Sequence, residues 1–377
     1  MEEQRPIPCV IMRGGTSKGV FFNERDLPAD PGAREQAILA VMGSPDPRQI
    51  DGLGGADPLT SKIAIIGPGA EHGADVTYTF GQVGIDQPYV ALFGNCGNLS
   101  AAVGVYAIEE GFVTARAPVT VVRIFNTNAR QHILAHVPVR DGRAAVHGQY
   151  AIAGVPGTAA EIRMDYSRTG GATTGKTLPT GNPRDRLFVP ELGREIDVSI
   201  VDVAKVTLYF HAADVGIAGT EGPDAFTPDI LARFWAVRNA AAAMIGLAPE
   251  TRLPTPVAVA RPADYENYMT KAPVLGQSMS FVARRVIGPP PRLHKAFAST
   301  GAVCTAAAAC IDGTVVNEVS LPPDDGVIRI GHPSGVFPVR ITVRADGSLA
   351  EASYSRTARR IMHGTAFVPD LEYGAVA

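Results

Sequence analysis

Short stretches in which apolar and polar residues alternate, or in which β-branched residues cluster, recur along the whole chain. A period of two places every second side chain on the same face of an extended backbone, so this pattern predicts β-strands. The predicted strands cover residues 7–12, 62–66, 76–83, 119–125, 132–139, 196–210, 279–286, 314–321, 327–330 and 336–343.

Helical periodicity is confined to a few segments, and it predicts helices over residues 32–42, 98–110, 227–246, 262–269 and 301–310. Strands outnumber helices and do not alternate regularly with them, which favours an α+β fold over a doubly wound parallel sheet. The 40 Gly and 30 Pro residues, together with only 7% aromatic residues, strengthen this view because they indicate short elements joined by tight turns.

A weak internal repeat relates the two halves of the chain. In the first half, the loop 94–98 opens a helix of small residues, and a strand containing Arg123 follows. In the second half, the loop 299–302 opens an Ala-rich helix, and a strand containing Arg329 follows. The spacing from helix-start glycine to strand arginine is 26 residues (97 to 123) and 28 residues (301 to 329). We therefore expect two similar domains, each a mostly antiparallel sheet or barrel wrapped around one central helix.

The segment 179–186 combines two prolines, a glycine and a run of charges, which is typical of a domain boundary. We predict an N-terminal domain over residues 1–185 and a C-terminal domain over residues 186–377. In this arrangement the two helix-start loops face each other, and the active site lies in the cleft between the domains.

The charge balance argues against several classes of partner. The chain carries 34 Lys and Arg against 37 Asp and Glu, a net charge of −3, with both signs mixed along its length, which disfavours nucleic acid as a partner. No apolar stretch reaches the roughly 18 to 20 residues that a membrane helix needs. Residues 1–8 lack the basic and apolar regions of a signal peptide, so we expect a cytoplasmic protein.

The four cysteines show no CxxC pair and no metal-like clustering with the eight histidines. We therefore expect no metal site and no disulfide framework. Cys9 lies in an apolar strand, and Cys304 and Cys310 lie in an Ala-rich helix, where a structural role is favoured.

Cys96 differs because glycines flank it at the start of a helix, where they allow a tight turn. The first-turn N–H groups of a helix, here at Gly97 and Asn98, favour an anion and lower the pKa of a nearby thiol. The second helix start, with Thr300 and Gly301, offers a matching anion site but no second thiol. Two helix N-termini directed at one site would suit a small polyanion.

Lys62 is the candidate partner of Cys96. It follows a loop rich in Gly and small residues that ends at Ser61, and it opens the apolar strand 63–66. Partial desolvation there would lower the pKa of the amine toward the range useful for proton transfer. Position alone also fits a solvated lysine at the end of a strand.

The loop 13–19 (RGGTSKG) resembles a phosphate-binding loop only superficially, since the residue order is wrong and no helix follows. We exclude nucleotide binding. Its N–H groups, with the hydroxyls of Thr16 and Ser17 and the nearby Lys18, could instead hold a carboxylate, although a plain β-turn is the alternative. The loop 175–182, which ends at Asn182, has a similar composition and could line the same cleft.

Five blocks of this sequence resemble the PrpF family, which includes 2-methylaconitate cis-trans isomerase, methylitaconate Δ-isomerase and 4-oxalomesaconate tautomerase. The blocks are 12–19 (MRGGTSKG), 44–52 (SPDPRQIDG), 57–62 (DPLTSK), 94–98 (GNCGN) and 178–182 (LPTGN). The resemblance continues through 331–335 and 356–362, so it covers nearly the whole chain. It implies a diaminopimelate-epimerase-like fold of two similar domains.

The resemblance also implies Lys62 and Cys96 as the catalytic pair. Epimerases of this fold use two cysteines, one in each helix-start loop, and this sequence has Ala298 where the second would fall. That difference disfavours amino-acid racemase or epimerase activity. The implied reaction needs no cofactor: one member of the pair removes an allylic proton, the helix-start N–H groups hold the anion, and reprotonation moves the double bond.

The implied substrate is a small unsaturated di- or tricarboxylate. Methylitaconate ranks first, followed by 2-methylaconitate and 4-oxalomesaconate, with little separation between them. A non-catalytic polycarboxylate-binding protein on the same fold is the alternative, which the presence of both Lys62 and Cys96 disfavours. The sequence does not determine the oligomeric state, and a homodimer is only a working assumption.

Overall fold

The computed structural model describes residues 3–92, 94–152, 154–321, 323, 325–344 and 348–369. The chain forms two compact units. Unit 1 comprises Met1–Asp165 and Ser355–Ala377, and unit 2 comprises Tyr166–Tyr354.

Unit 1 contains two long helices and a set of mostly extended segments. Its elements are β1 (Gln4–Gly14), β2 (Ser17–Asn23), α1 (Pro31–Met42), β3 (Lys62–Pro68), β4 (Val76–Val83), β5 (Val90–Ala91), α2 (Gly97–Glu109), β6 (Val119–Asn126), β7 (Gln131–Arg140), β8 (Arg143–Ala144), β9 (Ile162–Asp165) and β21 (Ala358–Pro369).

The helices and strands of unit 2 follow one another in a similar order. They are β10 (Asp185–Val189), β11 (Arg194–Val203), β12 (Lys205–His211), α3 (Pro228–Met244), β13 (Thr255–Ala260), β14 (Tyr265–Glu266), β15 (Pro273–Val274), β16 (Phe281–Ile287), β17 (Arg292–Leu293), α4 (Ser299–Ala309), α5 (Val315–Val319), β18 (Val327–His332), β19 (Gly335–Val343) and β20 (Leu349–Arg356). The last two residues of β20 fall in unit 1.

The strands of unit 1 pair in a regular order. Strand β1 is antiparallel to β21 and β2, β2 is parallel to β3, β3 antiparallel to β4, β4 parallel to β6, and β6 antiparallel to β7. Parallel neighbours need a crossover, and helix α1 supplies it between β2 and β3 while α2 supplies it between β4 and β6.

Unit 2 repeats this order strand for strand. Strand β11 is antiparallel to β10 and β12, β12 is parallel to β13, β13 antiparallel to β16, β16 parallel to β18, and β18 antiparallel to β19. Helix α3 takes the place of α1 and helix α4 the place of α2. The internal repeat seen in the sequence is therefore a repeat of topology.

Helix α2 is the centre of unit 1. It packs against β1, β21, β7, β6 and β2, and its residues from Leu99 to Ile108 are all buried. Small side chains permit this close approach: a Cβ added to Gly104 would lie 2.8 Å from the Cβ of Ala135 on β7. Helix α4 is buried along its whole length in the same way, against β19, β11, β12 and β18. The predicted α+β class, with a sheet around a small-residue helix in each unit, is confirmed.

Helix α1 covers the outer face of the strands in unit 1. Its buried residues Ala37, Ile38, Val41 and Met42 join Ile7, Cys9, Val20, Phe22, Ile63 and Ile65 in one apolar core. Fully burying a Val, Ile, Phe or Met side chain stabilises the folded state by about 1.5 to 3 kcal/mol. Cys9 is therefore a core residue, as predicted.

The bounds of the two units differ from the predicted domains 1–185 and 186–377 at two places. The segment from Tyr166 to residue 185 groups with unit 2. Its loop is tied to β11, because the amide of Gly171 donates to the carbonyl of Asp202. The segment from Ser355 onward groups with unit 1, because β21 pairs along β1 from Gln4 with Pro369 to Gly14 with Ala358. Pairing between segments this far apart leaves no mark on the local sequence pattern.

Two predicted elements are wrong. The predicted helix 262–269 contains the short strand β14 instead, and Tyr265 on it donates its hydroxyl proton to the carbonyl of His332 or Gly335, which holds the segment extended. The predicted strand 314–321 contains helix α5, which Thr314 caps by accepting a hydrogen bond from the amide of Asn317. The predicted strand 196–210 is two strands, β11 and β12, that meet at Ala204 with a φ of 57°.

No helix in the described part of the chain is long and apolar enough to cross a membrane.

Candidate active site

Cys96 is the N-cap residue of α2, and its side chain makes no capping hydrogen bond. The N-cap residues of α1 and α3, by contrast, are Asp30 and Thr227, and the side-chain oxygen of each accepts a hydrogen bond from a first-turn N–H. The first-turn N–H groups and the positive end of a helix favour an anion. Cys96 is partly exposed, so its thiol stands at an accessible helix N-terminus.

The turn between β1 and β2 lies directly on the first turn of α2. The side-chain amide of Asn98 donates to Thr16 Oγ1 at 2.9 Å and lies 3.5 Å from Ser17 Oγ. Gly15 makes this approach possible, because a Cβ there would lie 2.2 Å from Asn98 Oδ1 and its φ is +51°. The predicted residues Thr16, Ser17 and Asn98 therefore form one polar cluster beside Cys96.

Lys62 opens β3 and is only 8% exposed. Its Nζ donates to Gln82 Oε1 at 2.5 Å and lies 5.3 Å from the centre of the Phe80 ring. Gln82 in turn donates through Nε2 to the carbonyl of Ser61 at 2.8 Å, which leaves Oε1 to accept from Lys62. No carboxylate in the described part of the chain forms a salt bridge with Lys62. The amine is thus buried beside a neutral acceptor and an aromatic face.

Gly19 brings Lys62 and the start of α2 to the same place in unit 1. A Cβ on Gly19 would lie 3.0 Å from the carbonyl oxygen of Lys62 and 3.1 Å from Cδ1 of Leu99. The backbone at Lys62 and the first turn of α2 therefore both lie against this glycine. Both members of the predicted pair belong to the same cluster of elements.

Two further residues support this cluster, and the sequence argument did not assign a role to either. Gln82 holds Lys62, as described above. Arg356, at the end of β20, donates from Nε to Asn98 Oδ1 at 3.1 Å and so orients the amide that donates to Thr16. The family resemblance of the block 356–362 was the one indication in the sequence that Arg356 matters. The local sequence pattern could not connect it with Asn98, which lies 258 residues away along the chain.

The remaining predicted residues have mixed surroundings. Gly97 is the first residue of α2, and Lys18 is partly buried with its amide bound to the carbonyl of Leu59. Ser61 is fully buried and donates to the carbonyl of Val83 while accepting from Gln49, so its hydroxyl serves the loop. Substrate binding by these residues stays a prediction.

Three predicted residues belong to unit 2. Thr300 and Gly301 lie in the first turn of α4, where both are buried. Asn182 is exposed, and its side-chain amide donates to Asp185 Oδ1 at 2.8 Å. Their role in binding substrate also stays a prediction.

The other cysteines differ from Cys96 in their surroundings. Cys304 is fully buried and donates to the carbonyl of Val201, and burial raises the pKa of its thiol to about 11. Burial likewise raises the pKa of Cys310 to about 11. Within the described ranges, no three His, Cys, Asp or Glu side chains are grouped so that they could hold a metal ion.

Comparison with known proteins finds relatives that match over nearly their full length and are named as isomerases. A 3-methylitaconate isomerase from Eubacterium barkeri is 48% identical, over 98% of this chain and 98% of that protein. A (4E)-oxalomesaconate Delta-isomerase from Novosphingobium sp. is 39% identical over 96% of this chain and 97% of that protein. A 2-methyl-aconitate isomerase from Shewanella oneidensis is 38% identical over 97% of this chain and 98% of that protein.

Solved structures give the same result for the fold. The crystal structure of a methylitaconate-delta-isomerase matches with a TM-score of 0.88 and 47% identity, covering 98% of this chain and 97% of that one. A hydroxyproline epimerase from Agrobacterium vitis matches with a TM-score of 0.55 and 13% identity, over 100% of this chain and 97% of that one, which supports the epimerase-like fold alone.

The family model described as PrpF protein matches residues 4–369. The predicted resemblance is thereby confirmed, and so is the enzyme class, since the relatives that match over nearly their full length carry the names of isomerases. The chain belongs to the PrpF family.

Proposed function

We propose that this chain is a cofactor-independent isomerase that moves a proton and a double bond in a small unsaturated di- or tricarboxylate. The observation that carries the proposal is the cluster in unit 1. A buried lysine, which forms no salt bridge in the described part of the chain, and a partly exposed cysteine at a helix N-terminus without a side-chain cap lie on neighbouring elements. The full-length relatives named as isomerases of such acids support the same reaction.

In the proposed mechanism Lys62 and Cys96 act as an acid–base pair. One of them removes an allylic proton that the neighbouring carboxylates have acidified, and the electron pair spreads into a dienolate-like anion. The N–H groups at the start of α2 stabilise that negative charge. The proton is returned to another carbon, which shifts the double bond, or the anion rotates first, which gives cis-trans isomerisation. No electrons are gained or lost.

The hydrogen bond from Lys62 to Gln82 fits this role. Gln82 is a neutral acceptor, so it orients the amine and forms no ion pair with it. The aromatic face of Phe80 and the burial of Lys62 exclude bulk water from one side of the amine. Methylitaconate is the first substrate to test, because the relative with that activity in its name is 48% identical.

The experiment follows proton exchange in D2O. The purified chain is incubated with methylitaconate, 2-methylaconitate, 4-oxalomesaconate and cis- and trans-aconitate, and proton NMR records deuterium entry and the position of the double bond. We expect exchange with at least one acid, and a decrease of about 100-fold or more in Lys62→Met and in Cys96→Ser.

Matched controls separate the catalytic pair from general effects of the substitutions. Lys295→Met and Cys310→Ser remove the same side-chain types outside the cluster, and both are expected to retain exchange. Full exchange in a folded Lys62→Met or Cys96→Ser variant would overturn the assigned pair. Binding of the acids without exchange would favour a carboxylate-binding protein.

A further inference from the structure

Helix α4 of unit 2 begins without a side-chain cap, as α2 does in unit 1. Its N-cap residue is Ala298, which has no group that can accept a first-turn N–H. The neighbouring helices α3 and α5 are each capped by a threonine side chain, at Thr227 and Thr314. Ser299 and Thr300 in the first turn are each 7% exposed. The positive end of α4 is therefore buried and has no side-chain cap.

Arg285 on β16 supplies an independent observation at this helix start. It is 3% exposed, and neither Nε nor Nη1 has a hydrogen-bond partner in the described part of the chain. The guanidinium lies on the first turn of α4, since a Cβ added to Gly301 would lie 2.4 Å from Nη1 and 3.1 Å from Cζ. A buried guanidinium with two unpaired nitrogens is costly, which points to a missing acceptor.

The preceding residue, Arg284, is also buried, and two of its three guanidinium nitrogens have backbone acceptors while Nη2 has none in the described part of the chain. Successive residues on a strand face opposite sides. Arg284 donates from Nε to the carbonyl of Glu221 at 2.6 Å and from Nη1 to the carbonyl of Ala283 at 3.0 Å, and it lies over the Tyr265 ring. Within the described part of the chain, Arg285 therefore has two unpaired guanidinium nitrogens on the α4 side of β16, against one in Arg284.

His294 lies beside Arg285, since its amide donates to the carbonyl of Arg285 at 2.8 Å, and Lys205 is near enough for its charge to be repelled by that of Arg285. Burial, and then repulsion from Arg285, lowers the pKa of Lys205 to about 7. Burial and the same arginine lower the pKa of His294 to about 4, so this imidazole is neutral. His294 Nδ1 accepts from the amide of Ala296 at 3.1 Å, which leaves the proton on Nε2. No carboxylate in the described part of the chain forms a salt bridge with Lys205 or Arg285.

The position of this cluster within the repeat matches the cluster of unit 1. Lys205 is the first residue of β12, as Ser17 is the first residue of β2. Arg285 lies on β16, which corresponds to β4, the strand that carries Gln82. Both sets of residues therefore surround the start of the central helix in their own unit.

We propose that Arg285, Lys205 and the first turn of α4 form an anion site in unit 2 that binds a carboxylate group of a small di- or tricarboxylate. The cations and the helix N–H groups supply the charge and the donors that a carboxylate oxygen needs. The choice of a carboxylate over other small anions rests on the proposed function. The anion could come from the substrate itself or from a separate carboxylate ligand, and the experiment distinguishes these sources.

The test uses the full chain and propane-1,2,3-tricarboxylate, a saturated acid with no double bond to move. Isothermal titration calorimetry measures its Kd and stoichiometry for the wild type, Lys205→Met, Lys205→Arg and Arg285→Met. We expect about 10- to 100-fold weaker binding in both methionine variants, because each removes a charge-assisted contact. Lys205→Arg retains the charge and is expected to stay within a few fold of wild type.

Lys295→Met is the matched control, since it removes one positive charge of unit 2 outside the cluster and should bind like wild type. Circular dichroism verifies that each variant is folded. If Arg285→Met does not fold, the comparison of Lys205→Met with Lys205→Arg decides the question. Wild-type affinity in the folded methionine variants would overturn the anion site, as would equal weakening in Lys295→Met.

Stoichiometry and kinetics identify the source of the anion. One probe molecule per chain, with a raised KM in Lys205→Met, assigns the site to the substrate. Two probe molecules per chain, of which Lys205→Met loses one without a change in KM, assign it to a separate carboxylate ligand. The titration needs no turnover, so a chain that binds the probe at Lys205 but isomerises none of the acids would refute the proposed function and leave the anion site standing.

Discussion

Replacing Lys205 with methionine should stabilise the unliganded protein at low pH. The pKa of Lys205 is lowered from its ordinary value of 10.5 to about 7, first by burial and then by repulsion from Arg285. Between these two values the unfolded chain binds a proton that the folded chain does not, so stability rises with pH. Below pH 7 both states carry the charge, and the folded state bears the full cost of burying it.

The expected gain in the free energy of unfolding follows from the size of this pKa shift. At about 1.4 kcal/mol per pH unit, the interval from 10.5 to about 7 corresponds to at most about 5 kcal/mol. Lys205 keeps part of its surface in water, so we take about half of that value, roughly 2 to 3 kcal/mol, as the gain at pH 6. Methionine has a similar length and no charge, and the gain should disappear as the pH approaches 10.5.

Urea unfolding at pH 6, 7.5 and 9 measures this difference. The chain has one tryptophan, Trp235, which lies in α3 of unit 2, so its fluorescence reports on the unit that contains Lys205. Lys295→Met serves as the control for loss of a surface charge. A Lys205→Met variant that is less stable than wild type at pH 6, or whose advantage does not decrease with pH, would refute the reasoning.

Three further predictions concern unit 1. Gly15→Ala should destabilise the fold by about 1 kcal/mol or more, because the φ of this residue is +51°. It should also reduce activity, because the new Cβ would displace Asn98. Thermal unfolding measures the first effect and initial rates measure the second. Gln82→Leu should lower kcat by about tenfold with a smaller change in KM, because Lys62 loses its hydrogen-bond acceptor; unchanged kcat would refute a positioning role. Iodoacetamide at pH 8 should alkylate Cys96 before the other three cysteines, which are buried or have raised thiol pKa values, and peptide mass spectrometry identifies the labelled site.

Much of the local structure could be predicted from the sequence. Alternation identified β4 and β6, and the glycine-flanked starts of two small-residue helices identified α2, α4 and the internal repeat. These features depend on neighbouring residues, so a local pattern contains the information. The family resemblance then indicated Lys62 and Cys96 as the catalytic pair. Their positions in the sequence had supported this assignment less strongly.

Segments 262–269 and 314–321 show where such reasoning fails. Periodicity in a short apolar stretch fits more than one element, and the choice was made by contacts that the pattern does not record. A hydroxyl bound to distant carbonyls holds Tyr265 in an extended segment, and a threonine cap starts α5.

The sequence by itself therefore determined the class of fold, the repeat and the catalytic candidates, because these depend on local periodicity and on contiguous blocks of residues. Only the tertiary structure decided which distant groups meet. It placed β21 on β1, set Arg356 against Asn98, and brought Lys205 close to Arg285, with no salt bridge to either in the described part of the chain. Strand register and the burial of unpaired charge arise from packing between remote segments, and no single segment encodes them.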